Sequence, residues 1–229
     1  MWAWHVVNTR CIYVENESHP LVDTSRVDDT IAVVPFVDML NHDPHAQCLA
    51  EVEKKNGRYV VKATRAVSQG TELYVCYGPH DNGRLWMEYG FRLPLNPFMK
   101  VIIPTDLFLA LAQKARSDVK ISEAHKKAVE DAALPNTLYA TDEGPSWGLR
   151  TNVRLLHMNR KEIGDWRSIT ATIIAILQAL EKAVKARTNQ ASEVVRWLWE
   201  EQRAVIEVSV KRAEKELERL KRKMTNGDC

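Results

Sequence analysis

The spacing of apolar residues changes near Pro97–Pro104, and this change constrains the fold of the chain more than any other feature. Before it, short alternating segments are separated by Pro and Gly, which is typical of β-strands joined by turns. After it, apolar residues recur with the period of a helix, which is typical of helices that pack one face against a core. The sequence therefore predicts an α+β chain with two domains, a β-rich domain over 1–100 and an α-helical domain over 101–229.

A β-hairpin is predicted within the first domain. Two segments with strand-like composition, Leu49–Lys54 and Tyr59–Ala63, flank the residues Lys55, Asn56 and Gly57. Asn and Gly tolerate the positive φ angles that a tight hairpin turn requires. The two segments are therefore expected to pair directly with each other.

A strand and a helix are predicted after the hairpin. Apolar and polar residues alternate over Thr71–Tyr77, as in a half-buried strand. Asn82–Tyr89 has helical spacing and is followed by Gly90, the residue type that most often ends a helix in the left-handed conformation. Tyr77 is thus expected at the end of a strand and Tyr89 at the end of a helix.

The helical domain contains two apolar stripes, and both are predicted to face a core. The first stripe consists of Ile169, Ile173, Ile176, Leu177, Leu180 and Val184. The second stripe is longer and consists of Val194, Leu198, Val205, Val208, Ala213, Leu217, Leu220 and Met224.

Charge and cysteine content narrow the function classes. The formal net charge is +2, and glutamates interrupt the basic stretch Lys211–Lys223, which favours a solvated helix face over a nucleic-acid surface. The four cysteines are scattered, and neither a secretory leader nor a membrane-spanning stretch is recognised in the sequence. We therefore expect reduced thiols, a cytoplasmic or nuclear location, and no direct binding to nucleic acid or membrane.

Two short motifs suggest other chemistries. His42, His45 and Cys48 have a spacing seen in metal sites, but a proline breaks any helix that would carry them, so zinc is a minor alternative. Gly144–Gly148 matches the G-x-S-x-G hydrolase elbow. The triad order then requires an acid followed by a histidine, and no carboxylate precedes His157, the last histidine, after the elbow.

Three further segments are the basis of the functional prediction. They are PFVDMLNHDP over Pro35–Pro44, ELYVCYG over Glu72–Gly78, and LWMEYGFRLP over Leu85–Pro94. In this order they resemble the C-terminal half of a SET domain, in the class of the Rubisco large-subunit methyltransferase. The helical domain resembles, by position and composition only, the α-helical substrate-binding domain of that class.

The resemblance implies an S-adenosyl-L-methionine-dependent protein-lysine N-methyltransferase acting on a histone or non-histone protein; the class also includes a histidine methyltransferase. In that class the tyrosine before Gly lines the channel between cofactor and substrate, which makes Tyr77 the implied catalytic residue. The implied cofactor-binding residues are Asp38, Met39, Leu40, Asn41, His42, Gly90 and Phe91. The implied substrate-binding residues are Arg10, in an Asn-Thr-Arg segment, and Tyr89.

The chemistry of methyl transfer suits a tyrosine at this place. The reaction is an in-line displacement, so the protein must align donor and amine and exclude water. The amine must be uncharged, and burial beside an aromatic wall lowers its pKa. A phenol can orient the amine and favour the positive methyl group.

Each motif also has a structural interpretation. Tyr77 is then a strand tyrosine, Asn41-His42 a polar turn, and Tyr89 and Phe91 core aromatics. The resemblance further implies a truncated form that lacks the preceding SET portion with its G-x-G loop, and hence weak cofactor binding, low turnover and unpaired strand edges. The alternative function is a catalytically impaired half-SET protein that acts as an interaction module.

Overall fold

A computed structural model describes residues 1–13, 31–53, 55, 57–115, 121–132, 137–157 and 164–225. The chain forms two compact units, Met1–Phe98 and Met99–Cys229, called unit 1 and unit 2 below. Within the described part, no helix is both long and apolar enough to cross a membrane. The assignment of the two parts of the chain to a SET portion and a substrate-binding domain stays a prediction.

In its described residues, unit 1 combines short strands with two α-helices. Helix α1 (Trp2–Arg10) leads into β1 (Cys11–Tyr13), which pairs antiparallel with β2 (Ile31–Val33). After a 3-10 turn over Val37–Met39, a four-stranded sheet follows in the order β3-β6-β4-β5. Its strands are β3 (Asn41–His42), β4 (Cys48–Glu53), β5 (Arg58–Ala63) and β6 (Tyr74–Val75), and helix α2 (Asn82–Tyr89) comes next.

The predicted hairpin is confirmed. Strands β4 and β5 pair antiparallel from Cys48 opposite Ala63 to Glu53 opposite Arg58. Gly57 has φ +65° and donates its N–H to the Glu53 carbonyl at 3.0 Å, as a tight turn requires. Lys54 at the end of the first predicted strand and Asn56 in the predicted turn lie outside the described residues.

The strand predicted over Thr71–Tyr77 is wrong in length, because only Tyr74–Val75 is a strand. The side chain of Gln47 accounts for its late start. Its amide donates to the Glu72 carbonyl at 2.6 Å, and its oxygen accepts from the Tyr74 N–H at 3.4 Å. A buried side chain therefore takes backbone groups that a longer strand would offer to its neighbour.

Helix α2 begins and ends as the sequence predicts. Asp81 is the N-cap, and its carboxylate accepts from the Arg84 N–H at 2.9 Å. Gly90 ends the helix with φ +80° and donates its N–H to the Trp86 carbonyl at 3.1 Å.

Replacing Gly90 by Ala should lower the free energy of unfolding of unit 1 by about 1 kcal/mol, because a Cβ disfavours the left-handed conformation. Space is not the cause, since nothing lies within 4 Å of a Cβ built there. Urea denaturation measures the change. Gly164→Ala is the matched control, because that glycine has equal space and no positive φ; an equal loss in both variants would contradict the explanation.

Unit 2 is mainly helical, as predicted. It also contains a small antiparallel sheet that was not predicted from the sequence. The sheet has the order β7-β8-β9. Its strands are β7 (Lys100–Ile102), β8 (Tyr139–Thr141) and β9 (Gly144–Pro145). The helices are α3 (Thr105–Ala115), α4 (Glu123–Ala132), α5 (Trp147–Leu155), α6 (Trp166–Gln190) and α7 (Glu193–Thr225).

The two predicted stripes have different outcomes. All six residues of the first stripe are buried on α6, which confirms it. The second is wrong at two positions, because Val194 is 66% exposed and Val208 is 39% exposed. The buried face of α7 includes Val205 and Ala213, as predicted, and also Ile206 and Ser209, which were not predicted. The side chain of Met224 lies outside the described residues. The predicted stripe follows hydrophobicity alone, whereas packing here also buries a serine.

The G-x-S-x-G segment has a structural role in unit 2. Ser146 is the N-cap of α5 and accepts from the Leu149 N–H at 3.0 Å. Its hydroxyl donates to the Thr137 carbonyl at 2.7 Å. The serine oxygen is thus engaged in capping, which agrees with the rejection of a hydrolase.

The two units have different interiors. The large apolar core cluster runs from Val101 to Ile206 and lies in unit 2. Among the described residues of unit 1, the buried apolar residues are Cys48, Val75 and Leu85. Four further buried residues of unit 1 are polar, namely His42, Gln47, Asn82 and Asn96. Hydrogen bonds from these side chains therefore contribute much of the order in unit 1.

Candidate active site

Parallel pairing of β3 with β6 brings two distant motifs together. Asn41 lies opposite Tyr74 and His42 opposite Val75. Beyond β6, the Tyr77 N–H donates to Nδ1 of His42 at 3.0 Å, and the Tyr77 hydroxyl donates to the Leu40 carbonyl at 2.6 Å. The His42 and Tyr77 rings lie 5.1 Å apart. Tyr77 is therefore held by its backbone and by its phenol.

An aromatic cluster surrounds Tyr77. The Tyr89 ring lies 4.9 Å from the Tyr77 ring, and the Phe91 ring lies 6.5 Å from it in an edge contact. Phe91 is also 6.1 Å from the ring of His42. Because Gly90 turns the chain at the end of α2, residues on both sides of it reach the same cluster.

Asn82 fixes the segment that follows this cluster. Its amide donates to the Leu93 carbonyl at 2.8 Å, and its oxygen accepts from the Leu93 N–H at 3.0 Å. Asn96 also donates to that oxygen at 3.1 Å and to the His80 carbonyl at 2.9 Å. Sequence reasoning missed both asparagines, although two asparagines so close to the Tyr-Gly-Phe motif are the signal that could have found them.

Two cavities of unit 1 share Tyr77. The first, here the Asn41 cavity, has a volume of about 450 Å³ and is lined by Thr9, Arg10, Asp38, Met39, Asn41, Tyr77, Tyr89 and Phe91. The second, here the Tyr59 cavity, has a volume of about 390 Å³. Its lining also includes Thr9, Arg10, Asp38, Tyr77 and Tyr89, and adds Leu40, Tyr59, Cys76, His80 and Arg84 among others. The Tyr77 and Tyr89 side chains thus stand where the two cavities meet.

Arg10 connects α1 to the segment before β3. Its guanidinium donates to the Asp38 carbonyl at 2.8 Å and to the sulfur of Met39 at 3.3 Å, and it lies 3.7 Å from the Asp38 carboxylate. The predicted substrate residue therefore contacts two predicted cofactor residues. Arg10 lines both cavities, so its position is compatible with either role.

Glu72 orients Asn41 and was missed by sequence reasoning. The Asn41 amide donates to one oxygen of the carboxylate at 2.7 Å, and the Tyr74 hydroxyl donates to the other at 2.8 Å. These two hydrogen bonds lower the pKa of Glu72. The carboxylate is therefore ionised near neutral pH and leaves the Asn41 side-chain oxygen available to a ligand.

Burial sets the protonation of the ring groups. It lowers the pKa of His42, because the charged ring would lose its hydration. Since Nδ1 accepts from Tyr77, the proton of the neutral ring is on Nε2, a buried atom without a hydrogen-bond partner among the described residues. Burial also raises the pKa values of Tyr77 and Tyr89, and the Arg10 charge only partly opposes the rise at Tyr77. Both phenols are therefore protonated at neutral pH.

Lowering the pH from about 7.5 to about 5.5 should destabilise unit 1. Burial lowers the pKa values of His42 and His80 below 6.5, so between those values and 6.5 the unfolded chain binds protons that the folded chain does not. The stabilising contribution is complete above 6.5 and decreases as the pH falls. Urea unfolding at several pH values measures it, and a His42→Gln, His80→Gln double variant should show a flatter profile. An unchanged profile in that variant would contradict this explanation.

The structure brings most predicted site residues to the Asn41 cavity. They are Arg10, Asp38, Met39, Asn41, Tyr77, Tyr89 and Phe91. Leu40 lines the Tyr59 cavity, and His42 is buried against Tyr77. Gly90 is exposed and acts as the helix cap. The roles assigned to these residues stay predictions.

No group of metal-ligating side chains occurs among the residues that the structure describes. His42 of the candidate zinc spacing instead accepts a hydrogen bond from Tyr77. The candidate active site thus offers the Tyr77 phenol, aromatic ring faces, the Asn41 amide and the charged side chains of Arg10 and Asp38.

Comparison with known proteins gives the family. The family model of the SET domain matches residues 2–78. SET domain-containing protein 4 of Mus musculus is 34% identical over 174 residues, which cover 74% of this chain and 37% of that protein. The Homo sapiens protein of the same name is 32% identical over 171 residues, with the same two coverages. The chain thus spans less than half the length of these relatives.

Two further similarities are more limited. Ribosomal lysine N-methyltransferase set11 of Schizosaccharomyces pombe is 35% identical over 108 residues, which cover 47% of this chain and 26% of that protein. The crystal structure of the SET domain of LSMT bound to lysine and AdoHcy has a TM-score of 0.46 and 19% identity, and covers 99% of this chain and 55% of that chain. The predicted recognition is confirmed by the family model and the sequence relatives: residues 2–78 of this chain belong to the SET domain family.

Proposed function

We propose that the chain binds S-adenosyl-L-methionine and transfers its methyl group to a lysine side chain of a protein. The position of Tyr77 is the observation that carries the proposal, because it lines both the Asn41 cavity and the Tyr59 cavity. A donor in one cavity and an amine in the other would then meet beside this phenol. The similarity to a protein named as a ribosomal lysine N-methyltransferase supports lysine as the acceptor.

The Asn41 cavity fits the cofactor. Its volume of about 450 Å³ lies within the usual range of small-molecule sites. Tyr89 and Phe91 offer ring faces, and the Asn41 side chain is exposed and oriented by Glu72. Asp38, Met39, Asn41 and Phe91 would hold the cofactor, which supplies an electrophilic methyl group when bound.

His42 supports this side of the site. Its ring lies beside Tyr77 and Phe91, and its buried Nε2 is an unmet hydrogen-bonding group among the described residues. An orphaned buried donor costs about 1–3 kcal/mol, so a site retains one where a ligand or a structural role compensates. His42 also fixes Tyr77 through the backbone N–H of that residue.

Tyr77 can position the amine. Its only hydroxyl proton is donated to the Leu40 carbonyl, so the phenol oxygen presents lone pairs to other groups. An amine N–H can donate to that oxygen. Burial beside Tyr59, Tyr77 and Tyr89 in the Tyr59 cavity disfavours the ammonium form, which would release the amine lone pair for transfer.

A non-catalytic interaction module is the second candidate. Large apolar side chains of unit 1 are exposed, with exposed fractions of 79% for Trp2, 63% for Trp4 and 87% for Phe36. Exposed apolar groups favour binding to other proteins. In this case, replacing Tyr77 by Phe would leave the binding of partner proteins unchanged.

A transfer assay separates the two candidates. The chain is incubated with tritiated S-adenosylmethionine and with ribosomal proteins or core histones, and the label is located by amino-acid analysis. We expect label on lysine, with competition by S-adenosylhomocysteine. Binding of these proteins without any transfer of label would contradict the proposal and favour the interaction module.

A further inference from the structure

His80 lines the Tyr59 cavity and has no role in the reaction as described above. Its imidazole stacks on the Tyr89 ring with a centroid distance of 6.1 Å and an interplanar angle of 26°. Tyr89 in turn lies 4.9 Å from Tyr77. The three rings form a continuous row that ends at the phenol shared by the two cavities.

The imidazole of His80 also lies close to the main chain that follows Tyr77. A Cβ built on Gly78 would be 2.8 Å from Nε2 of His80, so a side chain there would displace the ring, and the φ of +135° at this position also favours glycine. The imidazole therefore lies beside Gly78 and stacks on the side chain of Tyr89.

The backbone of His80 is held independently of the ring. Its carbonyl accepts from the amide of Asn96 at 2.9 Å, and Asn96 is only 8% exposed. A side-chain substitution at His80 can thus remove the ring contacts while the turn keeps this hydrogen bond.

The ring is neutral near pH 7. Burial and then the positive charge of Arg84 lower the pKa of His80, against smaller opposing effects of Glu88, the Tyr77 backbone and Asp81.

We propose that His80 is a positioning residue, which holds the Tyr89 ring in place by stacking on it and thereby fixes the neighbouring Tyr77 ring. The proposal rests on the proposed function and deepens it. His80 acts through the two tyrosines, so its loss should affect the transfer step more than the binding of the cofactor.

The test combines ring spectroscopy with kinetics on the full chain. Tyrosine rings are labelled with carbon-13, and Tyr→Phe variants assign their signals. His80→Ala should shift the signals of Tyr77 and Tyr89 and leave that of Tyr139 unchanged. The kinetics use S-adenosylmethionine and the protein preparation, ribosomal proteins or core histones, that accepts label in the transfer assay. In His80→Ala, kcat should fall by about 10-fold or more, while KM for the cofactor stays within about twofold of that of the unmodified chain.

Two variants complete the test. His80→Phe retains a ring that can stack and should recover part of the kcat lost in His80→Ala. His45→Ala is the matched control, because this exposed histidine lies outside both cavities and should change neither readout. An unchanged kcat in His80→Ala, or unshifted signals of Tyr77 and Tyr89, would overturn the proposal. If the unmodified chain transfers no methyl group, the proposed function fails, whereas the ring signals still decide whether His80 places the two tyrosines.

Discussion

Replacing Tyr77 by Phe should reduce methyl transfer to lysine by about 100-fold or more, because the group that aligns the amine is lost. Tyr77 lines both cavities, and the phenol oxygen is the polar atom of its side chain. Its hydroxyl also donates to the Leu40 carbonyl at 2.6 Å, and loss of that bond should lower the free energy of unfolding by about 1 kcal/mol. The measurement is single-turnover transfer of a tritiated methyl group at saturating cofactor.

The control for this variant is Tyr139→Phe, which removes a hydroxyl from a half-buried tyrosine of β8 in unit 2. It should leave the rate of transfer unchanged. Cofactor affinity of Tyr77→Phe, measured by calorimetry, should change by no more than about threefold, because the ring and the Asn41 side of the site remain. A transfer rate equal to that of the unmodified chain would show that the Tyr77 hydroxyl takes no part.

Replacing Asn82 by Leu should lower the free energy of unfolding of unit 1 by about 2–4 kcal/mol, the second large effect that we expect. Asn82 is 1% exposed and satisfies both the N–H and the carbonyl of Leu93. An apolar side chain leaves these backbone groups and the Asn96 amide without that partner. Urea denaturation followed by circular dichroism measures the loss.

The same substitution should weaken cofactor binding, because the segment after Phe91 is no longer fixed. Asn189→Leu is the matched control, since this helical asparagine of α6 is exposed, and its effect on stability should stay within about 0.5 kcal/mol. If Asn82→Leu changed the free energy of unfolding no more than Asn189→Leu does, Asn82 would not be the residue that fixes the segment after Phe91.

Local sequence signals predicted local structure well. The hairpin of β4 and β5, helix α2 with Gly90, and the buried stripe of α6 each depend on residues close in sequence. The short strand β6 could not be predicted, because Gln47 occupies backbone groups of a segment 25 residues away along the chain. The buried face of α7 also depends on its packing partners, which periodicity alone does not identify.

In the candidate site too, residues within local motifs were predicted and residues that depend on long-range contacts were not. The sequence motifs identified Tyr77, Asn41 and Phe91, and the structure brings all three to one cavity. The residues that orient them were missed, since Glu72, His80 and Asn82 act through hydrogen bonds and ring contacts that form only after folding. Of the three, only Asn82 has a sequence signal, namely its place close before the Tyr-Gly-Phe motif.

Photolabelling tests the central claim most directly, because ultraviolet light can fix even a weakly bound cofactor to the residues it contacts. The chain is irradiated with S-adenosylmethionine labelled with tritium on its methyl group, and the labelled peptides are identified by mass spectrometry. We predict label in the peptides that contain Asp38–His42 and Tyr89–Phe91, with competition by S-adenosylhomocysteine. Two results would contradict cofactor binding in the Asn41 cavity. One is that the label removed by S-adenosylhomocysteine lies only in peptides of unit 2, and the other is that S-adenosylhomocysteine removes no label at all.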